Sequence, residues 1–192
     1  NPRPLGRDGL CPLCRAGLTL YDAAYSFGGY HDNLRELIHL FKYGKMRALA
    51  TPLGRLLDAA LPRDQVFDAI VPMPLHWRRL LVRGFNQSRL LANELAGRTG
   101  IPVSILLAKR RPTQAQAGLS RARRRANVSG VFRVTRPELV RGRRLLLVDD
   151  VFTTGATANA AAMVLKRAGA RRVTVLTLAR ADRLRGRDAG PE

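Results

Sequence analysis

The clearest hydrophobic pattern lies near the C-terminus, where four apolar residues, Leu145-Leu146-Leu147-Val148, follow Arg143-Arg144 and precede Asp149-Asp150. An unbroken apolar run of this length predicts a strand covered on both faces, as in a parallel sheet. From Ala158 the residues become alanine-rich, with Lys166 and Arg167 before Gly169, which predicts a helix and its stop. Residues 172–179 are rich in Val, Thr and Leu and predict a second strand. Upstream, Leu34, Leu37, Ile38 and Phe41 form one amphipathic face, with Asn33 and Glu36 as its cap, and Leu49, Leu53, Leu56 and Leu57 mark another helix. Tyr25, Phe27 and Tyr30 predict a short strand or hairpin. Residues 66–71 predict a strand that Pro72 and Pro74 stop, and a helix is expected over 87–98. Residues 129–135 resume as a strand. This succession of strands and helices predicts an α/β fold with a central, mostly parallel sheet flanked by helices.

The end of the strongest strand carries the chemistry. Asp149 and Asp150 are adjacent carboxylates, and each raises the cost of charging the other. Val151, Phe152, Thr153, Thr154, Gly155, Ala156 and Thr157 follow and lead into the helix. In open α/β sheets ligands bind beyond the carboxyl ends of the strands. A helix start offers unpaired N–H groups and the positive end of its dipole to a phosphate. Gly155 permits close backbone approach, the threonine hydroxyls can donate, and the carboxylates accept from sugar hydroxyls or meet a Mg²⁺ ion. Two competing explanations are an acidic strand end that only caps a helix and the acid pair of a phospho-receiver domain; the latter pair closes an early strand and lacks a Thr-Thr-Gly-Ala-Thr turn.

Charge extends the picture. The 192 residues hold 34 Lys and Arg against 14 Asp and Glu, for a formal charge of +20. That balance fits a polyanionic partner, phosphate or nucleic acid, and equally a GC-rich coding bias toward Arg. Its distribution is uneven, since no acid occurs between Glu94 and Glu138. The loop expected after Pro72 carries Arg78, Arg79 and Arg83, whose guanidinium forks suit phosphate oxygens. A hydrophobic content of 46% is ordinary for a globular domain. No run of about 18 apolar residues occurs, so no membrane insertion is expected and a cytoplasmic location is.

The acid pair and its threonine turn resemble the PRPP-binding motif of type I phosphoribosyltransferases. The resemblance implies that Asp149 and Asp150 bind ribose hydroxyls and Mg²⁺, and that residues 151–157 wrap the 5′-phosphate. Many purine-specific members place a third acid where Thr153 stands, so a hypoxanthine- or guanine-type mechanism is not expected and the catalytic residue is unassigned. Pro-Met-Pro-Leu-His at 72–76, Arg-Gly-Phe-Asn-Gln at 83–87, Lys109-Arg110, Thr113-Gln114-Ala115-Gln116-Ala117-Gly118, Arg124 and Asn127 together resemble the ComF family. These are phosphoribosyltransferase-like proteins linked to bacterial DNA uptake, and the likeness covers residues 11 to about 180. It implies a diphosphate loop at Pro74, Leu75, His76, Arg78 and Arg79, and a flexible lid containing Lys109, Arg110, Thr113, Gln116 and Arg124. A long polar segment without hydrophobic periodicity agrees with the second assignment.

The family opens with a four-cysteine zinc module, whereas this chain holds only Cys11 and Cys14. A structural zinc takes four ligands, so half of a zinc knuckle and a pair of free thiols both stay open. The expected organisation is a partial Cys-x-x-Cys segment over 1–20, a phosphoribosyltransferase-like domain over 21–180 and a charged, flexible tail over 181–192. Two functions follow: an enzyme that binds PRPP, or another phosphorylated ribose, with Mg²⁺, and a non-catalytic module that binds single-stranded DNA among competence proteins, stacking bases on Trp77, Phe85 or Tyr43. Homo-oligomerisation is compatible with both.

Overall fold

The computed structural model describes residues 19–110 and 130–181. Cys11, Cys14, Thr113, Gln116 and Arg124, the zinc-knuckle segment and nearly all of the tail lie outside the described residues. The chain runs β1 (Ala23–Gly29), α1 (Asp32–Tyr43), a 3₁₀ turn (Arg47–Leu49), α2 (Ala50–Ala59), β2 (Ala69–Pro72), α3 (Trp77–Arg83) and α4 (Gln87–Thr99). It continues through β3 (Leu107–Lys109), β4 (Phe132–Val134), a second 3₁₀ turn (Pro137–Leu139), β5 (Arg144–Phe152), α5 (Ala156–Arg167) and β6 (Arg172–Arg180).

The main sheet has the order β1-β6-β5-β2, and every pairing in it is parallel. Val103 adds an isolated parallel bridge to Ile70 beside β2. Parallel neighbours cannot be joined by a tight turn, so each needs a crossover, and α5 supplies the one between β5 and β6. β3 and β4 form a separate antiparallel pair.

β5 explains the architecture. Leu145 and Leu147 join one apolar cluster with Ala158, Ala161, Ala162 and Leu165 of α5. Leu146 and Val148 join the other, with Leu53 and Leu57 of α2 and Leu91 and Leu95 of α4. All four strand residues are fully buried, so the sheet is covered on both sides as its apolar run requires. Burying each such side chain contributes about 1.5–3 kcal/mol. No described helix is long and apolar enough to cross a membrane.

Several boundaries differ from expectation. β5 runs past the acids to Phe152, because Phe152 is buried against the Tyr21 ring and Val151 packs on the second cluster. The turn therefore shrinks to Thr153, Thr154 and Gly155, and α5 starts at Ala156 rather than Ala158. Tyr25 and Phe27 lie on an edge strand parallel to β6, the first of the two alternatives expected there. Asn33 sits inside α1, with His31 as the residue before the helix. The loop expected between Pro72 and the helix at Gln87 contains α3, which places Arg78 and Arg79 on a helix. Lys109 closes β3 and is half-buried instead of standing in a loop.

Candidate functional site

The site forms at the carboxyl end of β5, where α1, α4 and the segment after β2 converge on the acid pair. Asp150 is 6% exposed, and both its oxygens are bonded. Its Oδ1 lies 2.8 Å from Lys42 Nζ of α1, and its Oδ2 accepts from Gln87 Nε2 at 3.0 Å. Asp149 is half-buried, and its Oδ1 accepts from Ser88 Oγ at 3.0 Å and from the Asp150 amide at 2.9 Å. Gln87 and Ser88 open α4, where Asn86 caps the helix by accepting from the Arg89 amide. The same Asn86 donates to Met73 O at 3.0 Å, which ties the helix start to the segment leaving β2.

These contacts set the charge states. Burial, and then the adjacent Asp150 carboxylate, push the Asp149 carboxyl up to about 7, against the opposing pull of Lys42, the Asp150 amide and Ser88. Burial works against a charged Lys42, yet the charge and hydrogen bond of Asp150, with Asp149 and Tyr30, together outweigh it and raise the ammonium above its ordinary value. Gln87 Oε1 is buried without a hydrogen-bond partner among the described residues, so it can accept from a hydroxyl or water.

On the other side of Asp149 lies a basic rim. His76 caps α3, its Nδ1 accepting from the Arg78 amide at 3.3 Å, so its proton belongs on Nε2. Burial, Lys109, Arg78 and Arg79 all lower its pKa and so favour the neutral imidazole. Burial and then Arg79 lower the pKa of Lys109, while Asp149 opposes them. Lys109 also sits over the Phe132 ring, 5.8 Å from its centroid. Arg78 and Arg79 are exposed on α3, Pro74 and Leu75 are half-buried, and Arg110 is exposed just past β3, where its amide bonds Val131 O. The structure thus brings His76, Arg79, Lys109 and Asp149 into one electrostatic neighbourhood.

The turn after Phe152 opens α5. Thr154 Oγ1 accepts from the Ala156 amide at 3.3 Å, and Gly155 takes a φ of +74°. A Cβ on Gly155 would stand 2.7 Å from Phe152 Cζ and 3.2 Å from Tyr21 Oη, so glycine is required for space as well as conformation. Thr153 is exposed, and Thr154, Ala156 and Thr157 are half-buried around the helix start. The first amides of such a helix have no partner within it.

A pocket of about 510 Å³ opens between α3, α4 and β3, lined by Trp77, Phe85, Arg89, Asn93, Ile105 and Lys109 among others, with neither acid in its lining. Of the aromatics expected to stack bases, Trp77 is 58% and Tyr43 60% exposed, whereas Phe85 is 7% exposed and packs on Phe41. Phe85 is therefore a core residue, with Arg47 covering its ring.

Lys42, Gln87 and Ser88 escaped the sequence reading because each meets the acids across a long stretch of chain. A signal existed for Lys42: the chain has only four lysines among its 34 basic residues. Two of them, Lys42 and Lys166, pair with acids.

Residues 82–190 match the family described as Phosphoribosyl transferase domain. The chain is 35% identical over 181 residues to Competence protein F of Haemophilus influenzae, covering 89% of this chain and 78% of that protein. It is 37% identical over 177 residues to DNA utilization protein YhgH of Escherichia coli strain K12, covering 88% and 77%. Among solved structures it resembles the glutamine phosphoribosylpyrophosphate (PRPP) amidotransferase from B. subtilis complexed with ADP and GMP, with 25% identity and a TM-score of 0.46 over 67% of this chain and 26% of that one.

Proposed function

The chain belongs to the competence protein F family and to the phosphoribosyl transferase domain family, and from that premise we propose that it binds PRPP, or a closely related phosphorylated ribose, at the end of β5. The observation that carries this reading is the junction itself: an acid pair near the end of a buried parallel strand, a glycine-containing turn at 153–155 and a helix that starts at Ala156. The sugar hydroxyls meet Asp149, with Asp150 held beside it, and Gln87 Oε1 offers a further acceptor. The 5′-phosphate lies over the turn at Thr153, Thr154 and Gly155, against the first amides of α5 and the hydroxyl of Thr157. The diphosphate lies toward Pro74, Leu75, His76, Arg79 and Lys109.

Mg²⁺ enters with the ligand, as part of a magnesium–PRPP substrate. The described residues contain no group of three or more His, Cys, Asp or Glu arranged to hold an ion. They fit a cation borne on diphosphate oxygens, the usual habit of Mg²⁺ at phosphate sites. If the ligand reacts, Lys109 and Arg79 would stabilise the leaving diphosphate electrostatically. The His76 ring, whose Nδ1 accepts from the Arg78 amide, adds an Nε2 donor at the same rim.

A second reading follows from α3. Trp77, Leu81 and Val82 are 58%, 74% and 73% exposed on a helix that also carries Arg78, Arg79 and Arg83. A basic, aromatic surface of that kind suits single-stranded DNA, in keeping with the role named for the competence and DNA utilization relatives. Competition between PRPP and a fluorescent oligonucleotide separates the two readings. With a PRPP site at β5, added PRPP saturates in a Mg²⁺-dependent way while α3 keeps its oligonucleotide. If PRPP at millimolar concentration neither binds nor competes, the PRPP reading fails.

A further inference from the structure

The opening of about 510 Å³ between α3, α4 and β3 meets the proposed diphosphate only at its Pro74, Leu75 and Lys109 edge. Its volume is that of a small-molecule site. Large apolar side chains stand open in its walls: Trp77 and Leu80 of α3 are 58% and 42% exposed, and Ile105, just ahead of β3, is 47% exposed. The polar residues of the lining are Arg47, Arg89, Lys109, Asn86 and Asn93, with no carboxylate beside them among the described residues. Neither the Arg89 guanidinium nor the Asn93 amide has a partner among the described residues, and both are exposed. An amide that donates and accepts matches the edge of a nucleobase, which offers both; a carboxylate offers acceptors only.

Positive charge stands at both ends of α3, a helix about 10 Å long. Lys109 lies within electrostatic reach of His76 and Arg79 at its start. Arg47 donates to Gly84 O at 2.6 Å at its end. One anion needs a single cluster of cations, whereas two clusters with an apolar opening between them suit a base with a phosphate on either side. Resting on the single-stranded DNA reading above, we infer that this opening holds one unpaired base of a DNA strand. Trp77, Leu80 and Ile105 enclose the base, Asn93 meets its edge, and Arg89 joins the cations at the ends of α3 in taking the flanking phosphates. The base then supplies a share of the affinity that salt does not screen, on top of the phosphate contacts that salt weakens.

Fluorescence anisotropy on the full chain compares a short thymidine strand with an abasic strand of the same length. The thymidine strand should bind about tenfold more tightly, and that ratio should hold while both affinities fall with rising salt. Asn93→Leu/Ile105→Asn changes no charge and alters two exposed positions. It should bring the thymidine strand to within about twofold of the abasic one, with folding checked by thermal melting; if it does not fold, Asn93→Ala takes its place and should reduce the ratio. Equal binding of the two strands by the wild type overturns the inference and leaves the DNA reading on phosphate contacts alone. A folded variant that keeps the wild-type ratio also overturns it, since the preference would then come from the outer surface of α3. So does free thymidine monophosphate that binds as tightly as the strand, which would mark a nucleotide site. A glutamate-rich peptide ending in phenylalanine, bound more tightly than the thymidine strand and weakened by the same variant, would overturn it in favour of a protein partner. A wild type that binds neither strand overturns the DNA reading itself, and the inference with it.

Discussion

At the scale of single residues, two carboxylates make opposite predictions about pH. The Asp149 carboxyl sits at about 7 in the folded chain against a reference of 3.8, so the proton is bound more tightly when folded. Its contribution to stability is complete below about pH 4 and is lost as pH rises toward about 7. Asp149→Asn should therefore flatten the decline in melting temperature across that window; an unchanged slope would show that Asp149 does not titrate there. Asp68 behaves in reverse. The hydrogen bonds from the Arg144 side chain and amide hold its carboxyl down to about 2, so its contribution is present above about pH 4 and lost on acidification toward about 2. Asp68→Asn should make the chain less stable at neutral pH and reduce its loss of stability in acid, read from the same melts. The acids themselves were legible in the sequence, because adjacent carboxylates at a strand end are costly unless used. Their partners were not, since Lys42, Gln87 and Ser88 reach them only through the packing of α1 and α4.

At the scale of elements, the strand–turn–helix unit of β5 and α5 is where local preference and packing agree. Gly155 illustrates the agreement, with a φ of +74° and Phe152 Cζ 2.7 Å from any added Cβ. Gly155→Ala should cost about 1–3 kcal/mol by chemical denaturation. It should also weaken PRPP binding, because Phe152 must shift the turn; wild-type stability would contradict this packing account. Leu147→Ala, at a position fully buried against α5, should cost about 2–5 kcal/mol. β5 was readable because a strand buried on both faces leaves an unmixed apolar run. α3 was not, because it buries none of its residues and so carries no amphipathic stripe. Its boundaries were nevertheless present as punctuation: His76 caps its start, and Gly84 ends it at a φ of +76°. The end of β5 was misplaced for a different reason. Val151 and Phe152 continue the strand because of what they pack on, Tyr21 and the second cluster, most of which lies far away in sequence.

At the scale of the whole molecule, a formal charge of +20 surrounds a site whose centre is acidic. The surplus favours approach of any polyanion, whereas under the proposed reading the acid pair selects one that offers hydroxyls between its phosphates. Oligonucleotide binding through the basic surface should weaken steeply as salt rises and should be insensitive to Asp149→Ala/Asp150→Ala. PRPP binding should respond to both. The decisive measurement is calorimetric titration of the wild-type chain with PRPP in the presence of Mg²⁺, repeated on Asp149→Ala/Asp150→Ala with folding verified. Saturable, Mg²⁺-dependent binding that disappears in the variant is the predicted result. No binding to the wild type at millimolar PRPP, or undiminished binding to the variant, would contradict the assignment of the β5 turn as a phosphoribosyl site.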